Sequence, residues 1–154
     1  MMKALVVYDS AFGNTEKIAK AVGEVLGSSV VRAGEVKPED LNELDMLIVG
    51  SPTQAFQPLQ SIKTFIKHLG HDELKGVKTA AFDTRVDTKQ IQNRLLSVLV
   101  KVFGYAAKPI ASQLAKKGGV NVSEPQGFFV NDKEGPLKDG ELERAAAWAK
   151  SLLS

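Results

Sequence analysis

The chain has 154 residues, 44% of them apolar and 25% charged, a balance that suits one soluble globular domain with a buried core. It contains no cysteine, which excludes disulfides, thiolate nucleophiles and cysteine-held zinc or iron–sulfur centres. The formal net charge is +2, and no apolar run approaches the roughly 20 residues that span a bilayer, so neither nucleic-acid binding nor membrane insertion is expected.

The opening segment MMKALVVYDS lacks a small-residue cleavage site. It reads as a first strand over Lys3–Tyr8 rather than an export signal, and cytoplasm is the expected compartment. A helix is predicted over Thr15–Leu26, with Ile18, Ala19, Val22, Val25 and Leu26 on one face and Gly27 as its stop. Ser29–Arg32 reads as a second strand, Lys37–Leu44 as a short helix or turn opened by Pro38, and Asp45–Gly50 as a third strand. Gln60–Leu69 is a predicted helix with Ile62, Phe65, Ile66 and Leu69 inward, and Val77–Phe82 a fourth strand. Beyond DTRVDTKQ come helices over about 91–103 and about Ala111–Lys117. Val120–Val122 and Gly127–Val130 read as two pieces of a last strand, split by SEPQ. Glu141–Leu153 closes the chain as a helix with Leu142, Ala145, Ala146, Ala149, Leu152 and Leu153 inward, and Trp148 as a packing residue.

Strands alternating with helices predict a doubly wound α/β domain over 1–154 with a five-stranded parallel sheet. Ligands in such sheets bind at the carboxyl ends of the strands, near the topological switch point. Three loops therefore matter: 9–14, 51–59 and 83–88.

The first, YDSAFGNTE, is longer than a bare turn needs. Hydroxyls at Ser10 and Thr15, a permissive Gly13 and free amides at a helix start together suit an anion. A plain helix cap at Asn14 or Thr15 is the other reading. No Walker lysine and no G-x-G-x-x-G is present, and no basic residue lies between Asp9 and Glu16. An anion here would be a monophosphate held by neutral dipoles.

YDSAFGNTE resembles the phosphate loop of the flavodoxin family, whose pattern is a Ser/Thr-rich stretch ending in T-G-N-T. The strand order, the length and the two later loops fit as well. The resemblance implies a flavodoxin-like three-layer sandwich that binds FMN without a covalent link. Carried over, Ser10, Asn14 and Thr15 would contact the phosphate, with backbone donors across Ala11, Phe12 and Gly13. Phe12 departs from the family, which usually has a phosphate-binding Thr there.

In the second loop, Pro52 and Pro58 would stiffen the chain beside the cofactor, backbone groups of Thr53, Gln54 and Ala55 would reach the ring edge, and Phe56 would stack on the ring or tuck against the following helix. The third loop carries Asp83, Thr84, Arg85 and Asp87 but no aromatic, where flavodoxins usually have a stacking Tyr. The next aromatics are Phe103 and Tyr105. Arg85 near the ring would favour the reduced anion and make the second reduction potential less negative than a typical flavodoxin's; the alternative is a surface pair with Asp87. His68 and His71 lack a third ligand and read as solvated. The basic stretch 89–118 contains no acid and reads as helix faces in water or a site for an acidic partner or nucleic acid, the last without any supporting RNA- or DNA-recognition motif.

The leading functional expectation is an FMN-binding electron carrier that works between a reductase and an acceptor protein or small molecule. The first alternative is an FMN-dependent NAD(P)H:quinone-type oxidoreductase, motivated by the missing second stacker. The second is a flavodoxin-like binding module without cofactor, motivated by Phe12.

Overall fold

A computed structural model describes residues 2–86 and 104–154. The helix expected over 91–103, Phe103 and Asp87 lie outside the described residues.

The apolar run Ala4–Tyr8 forms strand β1, buried along its whole length. Helix α1 (Asn14–Leu26) follows and stops at Gly27, whose φ of 63° starts the return. Strand β2 (Ser29–Arg32) leads through two short 3-10 turns, Ala33–Glu35 and Pro38–Leu41, into β3 (Met46–Pro52). Helix α2 (Gln60–His68), strand β4 (Lys78–Val86) and helix α3 (Ala107–Lys116) come next. Short β5 (Val120–Asn121), β6 (Gln126–Val130) and helix α4 (Glu141–Ser151) complete the order.

All strand pairs are parallel, in the order β2-β1-β3-β4-β5, with β6 also on β4. β5 pairs with the start of β4 (Lys78↔Val120) and β6 with its end (Phe82↔Gln126), so the two pieces share one edge of the sheet. The expected five strands are thus present, the last one interrupted.

Alternate residues of each strand feed opposite faces. Leu5, Val7, Leu47, Val49 and Ala81 pack with Ile62 and Ile66 of α2 and Ile110 and Leu114 of α3. Val6, Ile48, Ala80, Phe82 and Phe128 pack with Ile18 and Val22 of α1 and Ala145 and Trp148 of α4. The result is the flavodoxin-like three-layer arrangement. No helix among the described residues is long and apolar enough to cross a membrane.

Two element boundaries and one helix face differ from expectation. β4 runs on through Asp83–Val86, because β6 supplies backbone partners for Asp83 to Val86. α3 begins at Ala107, earlier than expected. Leu142 and Leu153 stand 43% and 51% exposed, since Trp148 fills the core-facing stripe of α4 in their place.

Candidate functional site

A cleft of about 460 Å³ opens at the carboxyl edge of the sheet. It is within the range of small-molecule and cofactor sites. Four segments wall it: Ser10–Phe12 with Asn14 and Thr15, Pro52–Ala55, Thr84–Val86, and Val130 with Lys133.

The first wall is fixed from behind by Asp9. Its carboxylate accepts hydrogen bonds from the Ser10 amide (2.8 Å), the Arg32 guanidinium (2.8 Å) and the Ser61 hydroxyl. Ser10 Oγ in turn accepts from the Gly13 amide (2.9 Å), which closes the turn and leaves the hydroxyl proton to donate outward. Gly13, at φ 92°, carries the chain into α1 and does not itself line the cleft. No side chain caps α1. Among the described residues, the amides of Ala11, Phe12, Asn14 and Thr15 have no acceptor within the protein. Unpaired N–H groups at the positive end of a helix dipole favour an anion. Thr15 and Thr84 join hydroxyls at 2.7 Å while being only 1% and 5% exposed, so the first and third walls are tied together. Phe12, by contrast, is 48% exposed at the rim.

The second wall is a tight turn. Gln54 and Gln57 exchange both backbone hydrogen bonds at 2.9 Å, with Ala55 and Phe56 at positive φ of 49° and 67°. Such a turn is usually made by Asn and Gly, and a side chain in this conformation costs about 1 kcal/mol. The Thr53 amide donates to Thr84 O (2.9 Å) and its hydroxyl accepts from the Ala106 amide (3.1 Å), so the loop is anchored at its root. Gln54 and Ala55 face the cleft. Phe56 is half-buried at the corner of the turn and is not part of the lining.

The third wall is strand rather than loop. Thr84, Arg85 and Val86 line it, and Asp83 does not. The Asp83 carboxylate is fully buried on the α3 side. It accepts from Arg85 Nε (2.6 Å), Arg85 Nη2 (2.7 Å) and the Ala107 amide at the start of α3 (2.8 Å). Burial pushes this carboxyl up, against the opposing pull of Arg85 and the Ala107 amide. Arg85 therefore pairs with a buried Asp83, while Asp87 of the expected surface pair lies outside the described residues. The Arg85 guanidinium carbon lies 3.6 Å from the centre of the Tyr105 ring. Tyr105 folds back onto the site, but it covers Arg85 and does not line the cleft.

The fourth wall went unforeseen. Val130 ends β6 and Lys133 follows it, and the carboxyl end of β6 lies at the same sheet edge as those of β1, β3 and β4. Parallel topology alone points to that loop. No basic residue lies between Asp9 and Glu16, but Arg85 and Lys133 are both part of the cleft lining. Among the described residues there is no group of three His, Asp or Glu able to hold a metal. The described residues, then, assemble amides, hydroxyls and cations around a cleft.

The sequence profile of the flavodoxin domain matches residues 5–125, most of the chain. The chain belongs to the flavodoxin family. An uncharacterised protein of Methanocaldococcus jannaschii is 26% identical to it, with 99% of each chain covered. Among solved structures, a flavodoxin from the domain Archaea superposes with a TM-score of 0.72 at 21% identity, covering 99% of this chain and 100% of that one. Flavodoxin 1 of Bacillus cereus gives a TM-score of 0.73 at 17% identity, covering 98% and 97%. The flavodoxin fold thus extends over the whole length of these neighbours.

Proposed function

We propose that the cleft binds flavin mononucleotide and that the protein passes electrons between a reductase and an acceptor. The observation that carries this reading is the set of unpaired amides at the start of α1, open to a cofactor-sized cleft in a flavodoxin-family chain. The donor set fits a phosphomonoester. The amides of Ala11, Phe12, Asn14 and Thr15 and the Ser10 hydroxyl would hold its oxygens. Thr53–Ala55 on one side and Thr84–Val86 on the other would flank the ring. The flavin supplies the redox chemistry when bound. The polypeptide binds, orients and sets the charge around it.

The test is optical. Purified protein is stripped of any ligand and titrated with FMN, FAD and riboflavin, following flavin fluorescence and the visible spectrum. FMN is expected to bind at micromolar concentration or below, and more tightly than riboflavin. A protein that ignores FMN is instead the cofactor-free binding module.

One observation favours the oxidoreductase reading as an alternative. Among the described residues, the only aromatic lining the cleft is the exposed Phe12, so the β4 side presents Thr84, Arg85 and Val86 where a small acceptor can approach. Steady oxidation of NAD(P)H with a quinone, without added reductase, identifies that activity.

A further inference from the structure

The loop between β6 and α4 is built as a clasp. Val130 and Leu137 bridge its base, the Asn131 amide donates to Pro136 O (2.9 Å) and the Gly135 amide to Asp132 O (2.9 Å). The closed turn is then pinned to the first residue of α1. Asn14 Nδ2 donates to Glu134 O (3.1 Å), and Asn14 is 8% exposed beneath the loop. Gly135 presses on the same side chain: a Cβ there would lie 2.7 Å from both Asn14 Nδ2 and Oδ1, and its φ of 105° suits glycine.

This clasp fixes where Lys133 stands. It precedes Glu134 by one residue, and it lines the same cleft as Ser10, Ala11 and Phe12. Among the described residues no carboxylate lies within ion-pair distance of its ammonium group. The first wall offers neutral amides, so Lys133 is the residue of the lining that brings a full positive charge without a carboxylate partner. Arg85, the other cation in the lining, is occupied by Asp83.

We propose that Lys133 is a phosphate-recognition residue: the clasp delivers its ammonium to the anion cradle, so that the cleft selects a phosphomonoester over its neutral dephosphorylated counterpart. The inference rests on the flavin reading above and adds the source of its ligand preference. A charge-assisted contact between Lys133 and the phosphate strengthens FMN binding and leaves riboflavin binding unchanged. It also gives FMN affinity an ionic-strength dependence that a purely neutral cradle lacks.

The experiment compares wild type, Lys133→Gln and Lys133→Arg by fluorescence titration with FMN and with riboflavin, at low and high salt. Inorganic phosphate serves as competitor. Lys133→Gln is expected to weaken FMN about tenfold, to leave riboflavin unchanged and to flatten the salt dependence. Lys133→Arg restores most of the affinity, and phosphate competes with FMN more weakly in the Gln variant than in wild type. Unchanged FMN affinity in Lys133→Gln, or equal losses for FMN and riboflavin, overturns the role of Lys133 and leaves the flavin reading standing. Absence of flavin binding in wild type overturns both. Far-ultraviolet circular dichroism of each variant shows that the fold is retained.

Discussion

Asp83 and Arg85 sit two residues apart on β4, on the same face, and they satisfy each other through two short hydrogen bonds. The carboxylate is fully buried and the Arg85 side chain is 17% exposed, so neither charge is well hydrated. In this setting the pair is worth little as a whole but costly to halve, because the survivor is left as a buried charge. Asp83→Asn keeps the volume and an acceptor for the Ala107 amide, yet it removes the counter-charge. It is expected to lower stability by about 3 kcal/mol, measured by urea denaturation. The same substitution uncovers the guanidinium toward the cleft. On the flavin reading, the second reduction potential then becomes less negative than that of the wild type, while Arg85→Ala moves it the other way. Potentials that ignore both substitutions show that this pair does not sense the cofactor. The partner of Arg85 was not legible in the sequence: Asp83 and Asp87 are equally near along the chain, and only the extended backbone of β4 puts position 83, two residues away, on the same face.

At the scale of elements, the apolar runs of β1 and β3 are legible because both faces of a central parallel strand are buried. The end of β4 is not, because Asp-Thr-Arg has the composition of a turn and becomes strand only when β6 lies beside it. β6 is itself held by α4. Glu141 accepts the Phe129 amide at 2.7 Å and Arg144 Nη2 at 2.6 Å, and Arg144 also donates to Gly127 O and lies 4.7 Å from the Phe128 ring. Burial alone pushes the Glu141 carboxyl up, but Arg144 and the Phe129 amide outweigh it and hold the carboxyl below its ordinary 4.5. A carboxyl lowered in the folded state stabilises above its unfolded value and loses that stabilisation as pH falls through the folded one. Glu141→Gln should therefore cost about 1 kcal/mol near neutral pH, discounted because Arg144 is partly in water. The difference from wild type should shrink as pH falls below 4.5. Chemical denaturation at a series of pH values checks both, and a pH-independent difference assigns the loss to packing instead.

For the whole molecule, the alternation of strand and helix made the architecture legible, because burial on both faces of one sheet leaves few solutions. The cleft was legible only in part. Its first two walls announce themselves through glycine, proline and hydroxyl composition, whereas Lys133 depends on where a distant loop lands. What holds those walls at a common edge is the sheet beneath, and its tightest point is Gly50, on β3 beside Tyr8 of β1 and Phe82 of β4. A Cβ at Gly50 would lie 2.1 Å from Cζ of Phe82, closer than any atom can approach. Phe82 cannot retreat freely, since it is fully buried and meets Phe128 and Trp148 edge-on at ring distances of 6.1 and 6.0 Å. Gly50→Ala should therefore cost about 1–3 kcal/mol by overpacking. It should also change the near-ultraviolet signal of Trp148, the one tryptophan in the chain. Phe82→Leu removes the obstructing ring edge at its own cost in packing. Combined with Gly50→Ala, it should lose less stability than the two single changes added together, a coupling that distant sites do not show. Strict additivity in the double variant would mean that the clash at Gly50 is relieved by backbone movement of β3, and the second wall of the cleft would move with it.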